Sequence, residues 1–266
     1  MMNLPHAAAR IYFPPCTNTT LSTLDHCLRS RGYCNLIIGS KHETPNWLSP
    51  DEANKHCVAG ASVWEAYSSD GGRDPDVVLV GCGVETMAEV IAARSLLAKD
   101  VPSLRVRVVN VTDLLILSDR GEHPHALGDE QLASLFTSSS PVVFNFHGYP
   151  SVIKGLLGER LAGLEATLPE PAQCMAAAIP RKLRVLGFRE QGTTTTPWSM
   201  LRLNGTDRFT VAETALLLVA HLADTEAGVR AHKLIASYQA ARRYHEKYVL
   251  EHGEDPADFI ALPPAA

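Results

Sequence analysis

The sequence predicts an α/β protein with three layers, α/β/α, around a mostly parallel sheet, preceded by a partial α/β unit. Two observations carry this. Apolar runs at 76–80, 104–111 and 142–146 read as continuous rather than alternating, as expected of strands buried on both faces, and the strand pattern resumes at 183–186. Between them lie patterns of helical period at 84–98 and 128–136, with a short helix from 151, so strand and helix alternate as parallel crossovers require.

The elements follow in order. Arg10-Ile11-Tyr12-Phe13 is a β-prone run ended by Pro14-Pro15, and 33–38 is a second, joined to the first by a helix from about Thr19 to Ser30. Ser49 supplies a cap, Pro50 suits the first helical position, and Asp51 and Glu52 suit the positive end of the helix dipole. Together they start a helix expected to run to about Tyr67. Ser68-Ser69-Asp70-Gly71-Gly72 then reads as a linker or exposed loop. Gly81-Cys82-Gly83 turns the chain tightly from strand into helix, and Gly128-Asp129-Glu130 opens the next helix. The Ala-, Pro- and Glu-rich stretch between Leu161 and Ala178 has little periodicity and reads as an exposed excursion. Asp207 caps a helix through about Leu222. A last helix from about Glu226 carries His232, Arg242, Arg243, His245 and Lys247 on a largely polar surface, and the tail from Pro256 reads as frayed.

Composition narrows the function classes. The 266 residues are 45% hydrophobic, enough for a large core. The net charge of -5 arises from 29 acids and 24 bases with no basic block, which argues against a nucleic-acid partner. No apolar run is long enough to span a membrane, and the residues from Met1 to His6 carry no basic-then-apolar signal, so the expected location is cytoplasmic. The cysteines at 16, 27, 34, 57, 82 and 174 are not tightly spaced and read as reduced, small hydrophobes.

Candidate site residues gather after the strands, where α/β proteins place their chemistry. Lys41 follows the second strand and either meets an anion or is solvated. Gly81-Cys82-Gly83 leads into a helix whose free amides can hold a phosphate, although turn geometry alone explains the glycines. His123-Pro124-His125 binds metal only if other ligands converge on it. His147, just past 142–146, is either a proton carrier or anion contact or a hydrogen-bonded interface histidine. Arg189 can pair with Glu190 or an acid elsewhere, and Thr193 and Thr194 begin a run of hydroxyls that can satisfy loop amides.

Taken together, Arg10-Ile11-Tyr12-Phe13-Pro14-Pro15, Asp25-His26-Cys27-Leu28-Arg29-Ser30, Lys41 with Trp47, the segment 108–114, Phe146-His147-Gly148-Tyr149-Pro150 and the segment 187–198 closely resemble the carboxyl-terminal part of the phosphoketolases. These thiamine-diphosphate enzymes cleave xylulose 5-phosphate or fructose 6-phosphate with inorganic phosphate, giving acetyl phosphate. The resemblance implies that residues 1–50 are the end of the family's pyrimidine-binding middle domain, 51–250 a carboxyl-terminal domain like the last domain of transketolases, and 251–266 a tail. It also implies that Lys41 matches the family's sugar-phosphate-binding lysine, although His42 stands where the family has glutamine and Glu43-Thr44-Pro45-Asn46 departs from its pattern. His147, Arg189, Thr193 and Thr194 move toward structural or domain-interface roles. Thiamine diphosphate and magnesium serve the full-length family through segments upstream of anything matching here, so none is expected for this chain alone. The implied partners are a sugar phosphate and inorganic phosphate in a complete enzyme, with upstream phosphoketolase domains or self-association. The expectation is a carboxyl-terminal portion inactive by itself, against the alternative of a non-catalytic interaction or phosphometabolite-binding module.

Overall fold

The computed structural model describes residues 5–166, 183–189, 194–220 and 226–262. The chain begins with a strand–helix–strand unit: β1 (Ala9–Tyr12), α1 (Thr17–Arg29) and β2 (Cys34–Ile37), the two strands pairing in parallel as a sheet of their own. A five-stranded sheet follows, built from β3 (Ala61–Val63), β4 (Val77–Cys82), β5 (Val106–Val111), β6 (Val142–Phe146) and β7 (Leu183–Gly187) in the order β3-β5-β4-β6-β7. All its pairings are parallel except β3 with β5.

The helices are α2 (Pro50–Ala59), α3 (Val84–Asp100), α4 (Asp129–Phe136), α5 (Pro150–Ala166), α6 (Pro197–Asn204), α7 (Arg208–Ala220), α8 (Glu226–His252) and α9 (Ala257–Ile260). The continuous apolar runs now have their reason. Val78, Val80, Phe144 and Phe146 face one core with Leu114, Leu117, Phe136 and Ile153. Val77, Leu79, Val108 and Val143 face the other with Met87, Ile91, Val211 and Ile235. Alternate residues thus enter opposite cores, and each fully buried aliphatic or aromatic side chain contributes about 1.5–3 kcal/mol.

Five expectations need correction. The helix that starts at Ser49 ends at Ala59, not near Tyr67, because Gly60 turns left-handed (φ 73°) and its N–H caps the carbonyls of His56 and Cys57. The next residues form β3, whose register His56 fixes. Its Nδ1 lies 2.6 Å from Ser62 Oγ, and its Nε2 lies 2.8 Å from Asn110 Oδ1 and 2.9 Å from Thr112 Oγ1.

The segment Ser68 to Gly72 is no linker, since Ser68 Oγ and Ser69 Oγ accept from the N–H groups of Val108 and Val106, and Asp70 is buried against Arg107 at 2.8 Å. His245 does not belong to a polar surface: it is buried against Trp198, with Nε2 2.7 Å from Asp255 Oδ1. The tail is anchored rather than frayed over 255–260. Asp255 accepts from Thr196 Oγ1 and from the Trp198 N–H, while Phe259 is buried among Trp198, Phe209 and Tyr244.

The helix predicted from 151 is longer than expected, and its backbone continues through 161–166; the rest of the 161–178 excursion lies outside the described residues. No helix among the described residues is long and apolar enough to cross a membrane.

The small sheet docks on the large one through β1. The Phe13 N–H donates to the Thr112 carbonyl (2.7 Å), Tyr12 bridges to Asp113, and Ile11 and Phe13 enter the first core. At this seam Asp113 is buried beneath the Arg10 side chain, whose guanidinium sits 4.6 Å above the Tyr33 ring.

Candidate functional site

The parallel strands end on one edge, and the order places a topological switch between β4 and β6: β4 leaves into α3 on one face, β6 into α5 on the other. Ligands of open α/β sheets favour such crevices. Here the crevice is filled by the protein's own groups. Gly81 sits between Asn110 and Asn145 in register, and Asn110 Nδ2 donates to its carbonyl at 3.0 Å. Asn145 Nδ2 donates to the carbonyls of Thr206 and Thr86, at 2.9 and 3.2 Å. Gly83 takes φ 118°, and a Cβ there would lie 2.5 Å from His147 Cβ, so this glycine lets the His147 loop press against the first turn of α3.

His147 is held from three sides. Its N–H donates to the Cys82 carbonyl (2.9 Å), its ring stacks on Phe188 at 4.5 Å, and Nδ1 lies 3.0 Å from Glu85 Oε2. Burial opposes ionisation of Glu85, but hydrogen bonds from His147 and Ser40, the His147 charge and its own backbone N–H hold the carboxyl down at about 2. An ionised carboxylate therefore occupies the positive end of α3 and repels a phosphate there. The Gly81-Cys82-Gly83 turn serves strand-to-helix geometry and close packing.

Glu85 also reaches Ser40, the residue before Lys41, and so ties the loop after β2 to the main sheet. Lys41 itself is exposed and makes no hydrogen bond or ion pair among the described residues. Its neighbours Ser40 and His42 line a cleft of about 470 Å³ with Cys16, Thr20, Leu21 and Val84. Both chain neighbours of Lys41 thus line this cleft, while Lys41 is not itself a lining residue.

The remaining candidates do not converge on the cleft. Arg189 is exposed, its N–H donating to Asn204 Oδ1 at 2.6 Å; Thr194 is exposed; Thr193 and Glu190 lie outside the described residues. In the His123-Pro124-His125 turn, buried His123 accepts the His125 N–H on Nδ1 (3.0 Å), and burial pushes its pKa down to about 4. Among the described residues no cluster of three or more His, Cys, Asp or Glu could hold a metal ion.

Sequence reasoning missed Glu85, Asp113 and the buried Glu89–Arg208 pair. Only Glu85 had a local signal, being a first-turn acid just after the Gly83 turn.

Comparison with known proteins follows this geometry. A family model described as the XFP C-terminal domain matches residues 41–167 and 174–263. The chain belongs to the phosphoketolase family. It is 40% identical over 263 residues to a probable phosphoketolase of Schizosaccharomyces pombe, covering 99% of this chain and 29% of that protein. It is 39% identical over 246 residues to probable phosphoketolase 1 of Rhizobium meliloti, covering 92% of this chain and 28% of the relative.

The chain therefore spans under a third of these phosphoketolases and corresponds to their carboxyl-terminal part. In fold it is similar to a split-gene transketolase solved as an inactive β4 tetramer (TM-score 0.52, 17% identity, 82% of this chain and 59% of that one). It is also similar to a transketolase from Leishmania mexicana (TM-score 0.51, 16% identity, 81% and 26%). The predicted α/β class with a transketolase-like, mostly parallel sheet holds.

Proposed function

We propose that this chain is the carboxyl-terminal portion of a thiamine-diphosphate-dependent phosphoketolase, acting on xylulose 5-phosphate or fructose 6-phosphate and phosphate only when the family's remaining portion is assembled with it. The observation that carries this reading is the 40% identity along 99% of the chain to a phosphoketolase of which it spans 29%.

Thiamine diphosphate, if held here, would need a carboxylate at its pyrimidine ring and a metal to hold its diphosphate, and would supply the electron sink for carbon–carbon cleavage. The residues described here do not fit that role. The two buried or half-buried glutamates beside the sheet edge are committed, Glu85 to His147 and Glu89 to Arg208. No catalytic step is therefore assigned to this chain.

Its contribution to substrate is binding: Lys41, exposed between two cleft-lining residues and without a protein counter-ion among the described residues, presents an ammonium to the sugar phosphate. His147 and Arg189 act structurally.

Replacing Lys41 tests that role. In the enzyme reconstituted with an amino-terminal portion, Lys41→Ala is expected to raise KM for xylulose 5-phosphate about 10- to 100-fold while leaving kcat nearly unchanged. That is the cost of one charge-assisted contact made in ground and transition states alike. An unchanged KM would remove Lys41 from the site.

A further inference from the structure

Lys41 is carried by a turn that is closed on itself and tied to α3. Ser40 Oγ accepts the His42 N–H at 2.9 Å, which closes the chain around the residue between them. The same hydroxyl reaches the carboxylate of Glu85 in the first turn of α3. Ser40 and Val84, the first residue of that helix, both line the cleft, so the turn and the start of α3 border one space.

Glu85 is itself fixed. Its Oε2 lies 3.0 Å from His147 Nδ1, and the His147 ring stacks on Phe188 at 4.5 Å with the two planes 12° apart. The His147 N–H donates to the Cys82 carbonyl, beside the point where Cys82 and Phe146 pair in register. Contacts therefore run from the carboxyl end of the main sheet, through His147 and Glu85, to the hydroxyl next to Lys41.

A carboxylate so placed has two effects of opposite sign on an anion at Lys41. As a charge it repels the anion. As an acceptor it orders the turn, which spares an incoming phosphate part of the entropy of fixing a loop and a long side chain. Exposure decides between them: Lys41 is exposed and Glu85 half-buried, so water and salt screen the repulsion, whereas a hydrogen bond to a charged group keeps more of its strength. Among the described residues no ion pair joins Glu85 to Lys41, so the ammonium is left to a ligand.

We infer that Glu85 is a positioning residue for substrate: through Ser40 it fixes the turn that carries Lys41, and His147 fixes Glu85. The inference rests on the proposed contact between Lys41 and the sugar phosphate, and adds what holds that contact in place.

The test uses the purified chain and fructose 6-phosphate, titrated while the amide resonances of residues 39–44 are followed by nuclear magnetic resonance. Wild type is compared with Lys41→Ala, Ser40→Ala, Glu85→Ala, Glu85→Gln and the double variant of Glu85→Ala with Lys41→Ala. Glutamine keeps an oxygen that accepts from Ser40 and loses the charge, so it separates the two effects. Ser40→Ala cuts the same link from the turn side, and decides the matter should Glu85→Ala unfold.

Glu85→Ala and Ser40→Ala are each expected to weaken binding about 3- to 10-fold, less than Lys41→Ala does, while Glu85→Gln binds at least as tightly as wild type. Once Lys41 is alanine, Glu85→Ala should change nothing further, because its effect passes through Lys41. Binding by Glu85→Ala or Ser40→Ala as tight as wild type, with Lys41→Ala still weak, would overturn the inference and leave the proposed function standing. Unchanged binding by Lys41→Ala, or no shift of these resonances in wild type, would remove the proposed Lys41 contact and its positioning residue with it.

Discussion

Arg208→Ala is expected to destabilise this protein by about 3–5 kcal/mol, the usual cost of removing one partner from a buried ion pair. The Arg208 backbone N–H and Nε donate to Glu89 Oε2 at 2.6 and 3.0 Å, and Nη2 donates to Oε1 at 2.6 Å. The remaining Nη1 donates to the Ala261 carbonyl at 2.8 Å. One guanidinium thus joins α3, the start of α7 and the carboxyl-terminal segment, with both side chains less than a tenth exposed.

Alanine would leave the Glu89 carboxylate buried with a single backbone donor and release the carbonyl of Ala261. At about 2–4 °C per kcal/mol for a chain of this size, the melting temperature should fall by roughly 10 °C. Arg208→Lys should recover only part of that, because an ammonium cannot reproduce the two-pronged geometry. Thermal unfolding followed by circular dichroism decides the matter, and a melting temperature within about 2 °C of wild type would show that the pair contributes nothing net.

Asp113→Asn should stabilise the protein, and only above mildly acidic pH. Burial pushes the Asp113 pKa from 3.8 up to about 7, with the Leu115 N–H and the Arg10 charge opposing the rise only in part. The unfolded chain therefore ionises Asp113 near pH 4, while the folded protein keeps it protonated until about pH 7. Between those values the native state holds the extra proton, so stability falls as pH rises, and the penalty is complete above pH 7 and absent below pH 4.

At 1.36 kcal/mol per unit the penalty is at most about 4 kcal/mol. Asparagine removes it and keeps the oxygen that accepts from the Leu115 N–H at 3.2 Å. Urea unfolding at pH 4 and pH 8 should show the variant about 2–4 kcal/mol more stable than wild type at pH 8, with the difference gone at pH 4. A difference independent of pH would mean that folding leaves the Asp113 pKa where the unfolded chain has it.

Both groups show where sequence reasoning stops. The strands were legible because β4, β5 and β6 are covered on both faces, which writes their burial as largely apolar runs, broken only at Arg107, Asn110 and Asn145. The caps at Ser49 and Asp207 were legible because capping is local, and Asp207 Oδ1 does accept from the N–H groups of Phe209 and Thr210. Glu89 and Arg208 lie 119 residues apart, and nothing local links them. The end of α2 was misplaced because a glycine in the left-handed region looks the same in sequence as a tolerated helical one. The tail was misread because its anchors, Trp198 and His245, lie on helices that meet it only in the fold.

The site was less legible than the fold for the same reason. Lys41 was proposed from its place after a strand and from the family's pattern. The partner of His147 was not found, because Glu85 becomes its neighbour only when β4 and β6 are side by side.

The central claim is that this chain is one portion of a phosphoketolase, inactive by itself. Acetyl phosphate formation from xylulose 5-phosphate and phosphate, with thiamine diphosphate and magnesium, tests it most directly, using the purified chain alone and mixed with a separately expressed amino-terminal portion of a full-length relative. The account predicts no product from the chain alone and recovery of activity on mixing. Product from the chain alone, or none from a mixture in which the two portions are shown to associate, would contradict it.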